Sequence, residues 1–239
     1  FDDTYLENGV PKKIKGYYTD VGFDEAIKYI DNHKEEPLFC YMSANAPHLP
    51  YNVPKRYENF NIPEFQNIFY VMITNVDDNF TKLQNKLKEF QILDNTIVVF
   101  MTDKGTASGY KDVDRMIYGF NAGMKGVKNS EYEGGHRVPF FIYYPNGNLT
   151  GERDVETLTS HIDVMPTLAS LWKIKVPELN IDGSDISTLL LDANAALSRE
   201  YLIKESQRVQ HLIMWRKSTI MSDKLRLVNG KELYYVSSK

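Results

Sequence analysis

The chain has 239 residues, 42% of them apolar, and a formal net charge of −4 at pH 7. That composition excludes global disorder and argues against nucleic acid as the main partner, so an anionic ligand would have to meet local cations. The single cysteine, Cys40, rules out an intrachain disulfide framework and a cysteine-based zinc site, and no stretch approaches the ~20 apolar residues of a membrane span.

In chain order, Phe1-Asp2-Asp3 is neither basic nor apolar and does not read as a signal peptide. Residues 19–33 predict a helix, with Thr19 or Asp20 as cap and Phe23, Ala26, Ile27 and Ile30 on one face. Leu38 to Met42 follows Pro37 and reads as a buried strand, which makes Cys40 a small core hydrophobe. A loop punctuated by proline, Ser43 to Pro54, carries His48. The clearest helix spans about Glu64 to Phe90, with apolar residues three or four apart from Phe65 to Phe90. Thr96 to Met101 reads as a second buried strand, 102–137 as an irregular polar loop, and Val138 to Tyr144 as a third apolar run. Asp163 to Trp172 predicts a short helix opened by Asp163, with Pro166 in its first turn.

Strand, helix, strand in this order implies parallel pairing in an α/β sheet. From about Tyr201 the pattern changes. Ile213 to Ile220 and Lys224 to Val228 read as strands, and Asn229-Gly230 is a hairpin signal before Glu232 to Val236. The expected organisation is therefore residues 1–200 as one α/β part and 201–239 as a small antiparallel subdomain.

In open α/β sheets, chemistry collects at the carboxyl ends of strands. Asp103, in Asp103-Lys104-Gly105-Thr106, follows one such end and could ligate a hard cation, or could simply begin a turn. His48 stands between two prolines in Ala46-Pro47-His48-Leu49-Pro50, which fixes the backbone behind its imidazole. Such a ring can bind an anionic oxygen or protonate a leaving group. The segment from Gly123 to Arg137 is rich in glycine and cations, suited to sulfate or phosphate. Chemistry alone does not rank Lys125, Lys128 and Arg137.

Taken together, Ala46-Pro47-His48-x-Pro50, the strand ending Thr102-Asp103-x-Gly105-Thr106, and Gly123-Met124-Lys125-Gly126 running to Tyr132-Glu133-Gly134-Gly135-His136-Arg137-Val138-Pro139 resemble the second half of bacterial arylsulfatases. These are sulfatases of the alkaline-phosphatase superfamily. Ile162-Asp163-Val164-Met165-Pro166-Thr167-Leu168 and Lys231-Glu232-Leu233-Tyr234 are similar to later family segments, so the resemblance covers nearly the whole chain. It implies a partial alkaline-phosphatase-like α/β fold, with a mostly parallel sheet flanked by helices and a small C-terminal antiparallel sheet. The implied reaction is hydrolysis of a sulfate ester, of an aryl sulfate or a sulfated carbohydrate. His48 would contact the sulfate ester, Lys128 would hold the sulfate, and Asp103 would be a calcium ligand. A periplasmic or secreted location, and self-association through an exposed sheet edge, go with the same resemblance.

Two departures stand against it. The family's formylglycine nucleophile arises in a Cys/Ser-x-Pro-x-Arg motif, which is expected upstream of this chain. Cys40 is followed by Tyr41-Met42-Ser43-Ala44 and is not that cysteine. Second, Lys104 occupies the position of an expected asparagine, and an ammonium cannot donate a lone pair to a metal. The resulting expectation is a sulfatase portion inactive alone. The alternatives are a degenerate, non-catalytic homologue, or a phosphodiesterase or phosphonate hydrolase of the same superfamily.

Overall fold

The structure is a computed structural model and describes residues 1–57, 64–106, 111–113, 116–118, 120–151, 153–175 and 180–236; side chains at 64–67, 111–113 and 116–118 are left aside. In chain order the elements are β1 (Thr4–Glu7), β2 (Val10–Lys13), α1 (Tyr18–His33), α2 (Glu64–Glu89), β3 (Val98–Met101), β4 (Lys111–Val113), β5 (Met116–Tyr118), α3 (Glu133–His136), β6 (Phe140–Tyr143), α4 (Val164–Leu171), α5 (Ser187–Leu191), β7 (Leu202–Glu205), β8 (Ser218–Met221), β9 (Leu225–Val228) and β10 (Glu232–Tyr235). The chain forms two compact units. One comprises Phe1–Thr96 and Ala107–Asn121, the other Ile97–Thr106 and Ala122–Lys239.

In the first unit α1 packs on α2. Phe23, Ala26 and Ile30 of α1 and Phe69, Val71, Met72 and Leu87 of α2 are buried, close to the periodicity of the sequence; the side chain of Phe65 lies outside the described residues. Asn75 and Asn79 are buried on the same face of α2. Buried amides require partners, and Asp20 supplies one: its Oδ1 accepts from Asn75 at 2.8 Å and Asn79 at 2.7 Å, while Arg56 reaches its two oxygens at 2.7 and 2.9 Å. Burial pushes the Asp20 carboxyl up, but the Arg56 and asparagine hydrogen bonds outweigh it and hold the group below the usual carboxylate range. β1 and β2 form an antiparallel hairpin around Asn8-Gly9, at φ 51° and 82°. Both central residues at positive φ define the tight hairpin turn that Asn-Gly favours.

The buried strand expected at 38–42 is not formed. Phe39 is 60% and Tyr41 80% exposed, and Cys40 is exposed rather than in a core. An apolar run becomes a strand only where a neighbouring ladder takes its backbone groups, and no strand is assigned to this run.

In the second unit β3 pairs with β6, Val98 facing Tyr143 and Met101 facing Phe140. The pairing is antiparallel, as are all ladders among the described residues, in place of the parallel pairing expected. A parallel partner needs a crossover, usually helical, between the strands, and β6 instead returns beside β3. β7 to β10 form a four-stranded antiparallel sheet in the order β10-β9-β8-β7. Asn229-Gly230 turns the β9–β10 hairpin at φ 51° and 64°, as expected. β7 was not anticipated, and the strand expected over 213–220 is confined to 218–221. The expected irregular stretch 102–137 contains the β4–β5 hairpin and the single turn of α3.

The helix α4 opens at Asp163 as expected, with a 3₁₀ turn leading into it. Ser160 caps a 3₁₀ turn at His161–Asp163 that runs into α4. Asp163 is almost fully buried and accepts from Ser160 N at 2.7 Å, Ser184 N at 2.8 Å and both terminal nitrogens of Arg199.

Candidate functional site

Two loops of the second unit cross through glycine. The one that follows β3, Thr102 to Thr106, is bound to the 123–137 loop by Gly105 N to Gly135 O at 3.2 Å and Lys128 N to Thr106 O at 2.8 Å. Gly134 N donates in turn to Lys125 O at 2.9 Å. No side chain fits this crossing. A Cβ on Gly105 would overlap the Gly134 carbonyl, one on Gly134 the Gly126 carbonyl, and one on Gly135 the Ser130 carbonyl. The glycines of the Tyr-Glu-Gly-Gly segment are there so that one backbone can lie on another.

The crossing sets Lys128 beside the loop that holds Asp103. Lys128 is half-buried, its amide is fixed on Thr106, and its ammonium has no ion pair with a described residue. Lys125 is engaged elsewhere: its Nζ lies 3.7 Å from the centre of the Tyr132 ring and 3.5 Å from Glu232. Arg137 is exposed. Geometry thus separates three cations that chemistry left equal.

Asp103 is 82% exposed, and its nearest charge is Lys104, with Nζ 3.5 Å from Oδ2. Calcium takes six to eight oxygens. One carboxylate already facing an ammonium does not make that donor set, and no group of three His, Cys, Asp or Glu side chains able to hold a metal occurs among the described residues.

His48 belongs to the first unit. Its amide donates to Asn45 O at 2.8 Å, and its Nδ1 lies 2.9 Å from Leu49 O. To donate there Nδ1 carries the proton, which leaves Nε2 as the outward nitrogen of an exposed ring. Two further histidines bond to backbone carbonyls: His161 Nε2 reaches Thr102 O at 2.8 Å and His33 Nδ1 reaches Tyr29 O at 2.8 Å.

Sequence reasoning missed the scaffold of the 123–137 loop, which comes from the C-terminal sheet. Lys204 of β7 donates to Ser130 O at 2.7 Å, Thr219 of β8 to Glu131 O at 2.5 Å, and Tyr132 to Glu232 of β10 at 2.8 and 2.9 Å. Arg226 of β9 is buried and pairs with Glu133 at 2.7 Å. Burial pushes the neighbouring His136 imidazole down despite Glu133 at 3.9 Å, and it pushes the Lys204 ammonium down as well. Arg226 and Lys204 alternate within strands, a pattern that reads as an ordinary solvent face until the facing loop is in place.

Residues 1–174 match the family model described as Sulfatase, and the chain belongs to the sulfatase family. It is 31% identical over 185 residues to the uncharacterized sulfatase YdeN of Escherichia coli, covering 74% of this chain and 32% of that protein. It is 31% identical over 192 residues to an N-acetylgalactosamine-6-O-sulfatase of Bacteroides thetaiotaomicron, covering 78% of this chain and 37% of the relative. Among solved structures it superposes on Ps i-CgsB with a TM-score of 0.81 at 25% identity, over 95% of this chain and 50% of that one. The same protein has been solved with k-i-k-neocarrahexaose. The chain therefore spans about a third of the length of these two curated relatives and half of this structural neighbour. The fold class is the alkaline-phosphatase-like α/β fold of the sulfatases, with its C-terminal antiparallel sheet.

Proposed function

We propose that this chain is the sulfate-binding portion of an enzyme that hydrolyses sulfate esters, with Lys128 holding the sulfate. The observation that carries this reading is the ammonium of Lys128, which makes no ion pair with a described residue, on a backbone clamped by Thr106 and by the glycine crossing. A fixed cation of this kind stabilises charge as it builds on sulfate oxygens. His48 adds a ring held by Leu49 O; its Nε2, when protonated, can give a proton to the departing oxygen. A formylglycine supplies the nucleophile in this family, and no Cys/Ser-x-Pro-x-Arg motif occurs in the chain. A sulfated carbohydrate is the preferred substrate, because the Bacteroides relative is named N-acetylgalactosamine-6-O-sulfatase and Ps i-CgsB was solved with k-i-k-neocarrahexaose. A periplasmic or secreted location accompanies this reading. No helix among the described residues is long and apolar enough to cross a membrane.

The test is inorganic sulfate titrated into the labelled chain. Amide shifts are expected at Thr106, Gly126 and Lys128, and Lys128→Ala should abolish them. Aryl sulfate turnover by the chain alone should not exceed that of the same variant. Sulfate binding that survives Lys128→Ala would overturn the assignment. Turnover proportional to purified wild-type chain would overturn its inactivity in isolation.

A second reading, a non-catalytic homologue, is favoured by one observation, the Lys104 ammonium beside Asp103. It predicts that Lys104→Asn raises calcium affinity measurably by calorimetry, while the wild-type chain shows none tighter than about millimolar. Equal affinity of the two chains would remove Lys104 as the reason for this reading.

A further inference from the structure

Between β7 and β8 the chain makes an excursion, Gln207 to Lys217. Its root lies next to the Lys128 loop. Ser206 Oγ donates to Asn129 O at 3.3 Å, one residue beyond Lys128, and Ser206 N closes the base on Lys217 O at 3.0 Å. The loop is built. The Gln207 side-chain amide clasps Ile213 at both ends, donating to its carbonyl at 3.0 Å and accepting from its amide at 2.9 Å. Trp215 and Lys217 hold φ of 63° and 49°, a conformation that L-residues enter at a cost and that clusters where side chains are aimed for a purpose. The Trp215 indole is braced against the Gly230 turn, where an added Cβ would stand 2.8 Å from Cγ and Cδ2, yet 44% of the residue remains exposed.

The loop's chemistry is one-sided. Residues 206–218 contain Arg208, Arg216 and Lys217 and no acidic residue, in a chain whose net charge is −4. All three cations are exposed, and none forms an ion pair with a described residue. Exposed indole and guanidinium groups together suit a ligand that alternates apolar ring faces with strong anions. An extended polyanion such as nucleic acid, or an anionic membrane, asks for a broadly basic surface, which the overall charge denies.

We infer that the loop 207–217 binds the flanking sugars of a sulfated oligosaccharide, Trp215 against a sugar ring and Arg208, Arg216 and Lys217 on its anionic groups, continuing outward from the sulfate at Lys128. This rests on the reading of Lys128 above and extends it from a single sulfate to a chain of sugars.

The experiment uses the full chain and measures binding of two sulfated hexasaccharides, one galactose-based and one uronate-containing, beside their desulfated forms and inorganic sulfate. The wild type should bind at least one sulfated hexasaccharide about tenfold more tightly than inorganic sulfate. Both Trp215→Ala and the double variant Arg208→Gln/Arg216→Gln, with unchanged circular dichroism, should lose most of that gain and keep wild-type affinity for inorganic sulfate. Lys128→Ala should lose inorganic sulfate, and that arm alone judges the Lys128 reading. Undiminished hexasaccharide binding by the loop variants overturns the inference. So does equal binding of the desulfated sugar, of an oligonucleotide or of anionic vesicles, or a hexasaccharide affinity no better than that of sulfate.

Discussion

Asp163 illustrates how a single residue can do more than its local reading shows. It opens α4 as the sequence predicts, and it is also the acceptor for Ser160, Ser184 and Arg199 in a nearly dry site. Burial pushes its carboxyl up, and the Arg199 and backbone hydrogen bonds more than reverse that, leaving it below the usual range. Because the folded-state pKa is the lower one, its contribution to stability is present above the unfolded value of about 4 and is lost as pH falls through the folded value. Arg199→Met leaves a buried carboxylate uncompensated and should cost about 3–5 kcal/mol at pH 7 by denaturant unfolding. The cost should shrink toward acid pH; an equal loss at pH 7 and pH 3 would rule out the charge as its source.

Among the elements, the glycine crossing and the C-terminal sheet decide where Lys128 stands. Glycine at 105 and 134 is required by the space between backbones, since a side chain at 105 would force the Asp103 loop away from α3 and one at 134 would force α3 away from the Lys125–Gly126 backbone. Gly134→Ala should therefore destabilise the chain by about 1–3 kcal/mol and weaken sulfate-induced shifts at Lys128, whereas Gly22→Ala on exposed α1, where an added Cβ meets nothing, should leave both intact. Wild-type sulfate shifts in a folded Gly134→Ala chain would detach the crossing from the site. The sequence showed this loop as glycine-rich and cationic but held no sign of its anchors. Lys204, Thr219, Arg226 and Glu232 lie 74 to 100 residues from the loop atoms they hold, and no local periodicity encodes a pairing over such a distance.

For the whole molecule, the relation to longer relatives has a physical counterpart in the apolar β3–β6 ladder. β3 and β6 consist largely of Val, Phe, Ile and Met, all at least partly accessible, with Phe141 64% exposed. A two-stranded ladder that carries apolar side chains in water invites further pairing. We expect the purified chain to associate reversibly with concentration in sedimentation experiments, and Phe141→Lys to weaken that association without unfolding the chain. A concentration-independent monomer would dismiss the expectation.

What the residues determined by themselves was whatever rests on local chemistry. The two long helices were legible from a repeat of three to four, the β9–β10 turn from Asn229-Gly230, and the family from short motifs whose residue types are set by the chemistry of a sulfate. The β1–β2 turn carried the same signal at Asn8-Gly9. Only the tertiary structure could decide that the run 38–42 is not a strand, that β3 meets β6 antiparallel, and that Lys125 is engaged by Tyr132 and Glu232 while Lys128 makes no ion pair with a described residue. Each of these depends on which distant backbone or ring comes to lie alongside: a ladder needs a partner strand, and a lysine is neutralised only by the Tyr132 and Glu232 that folding brings to it.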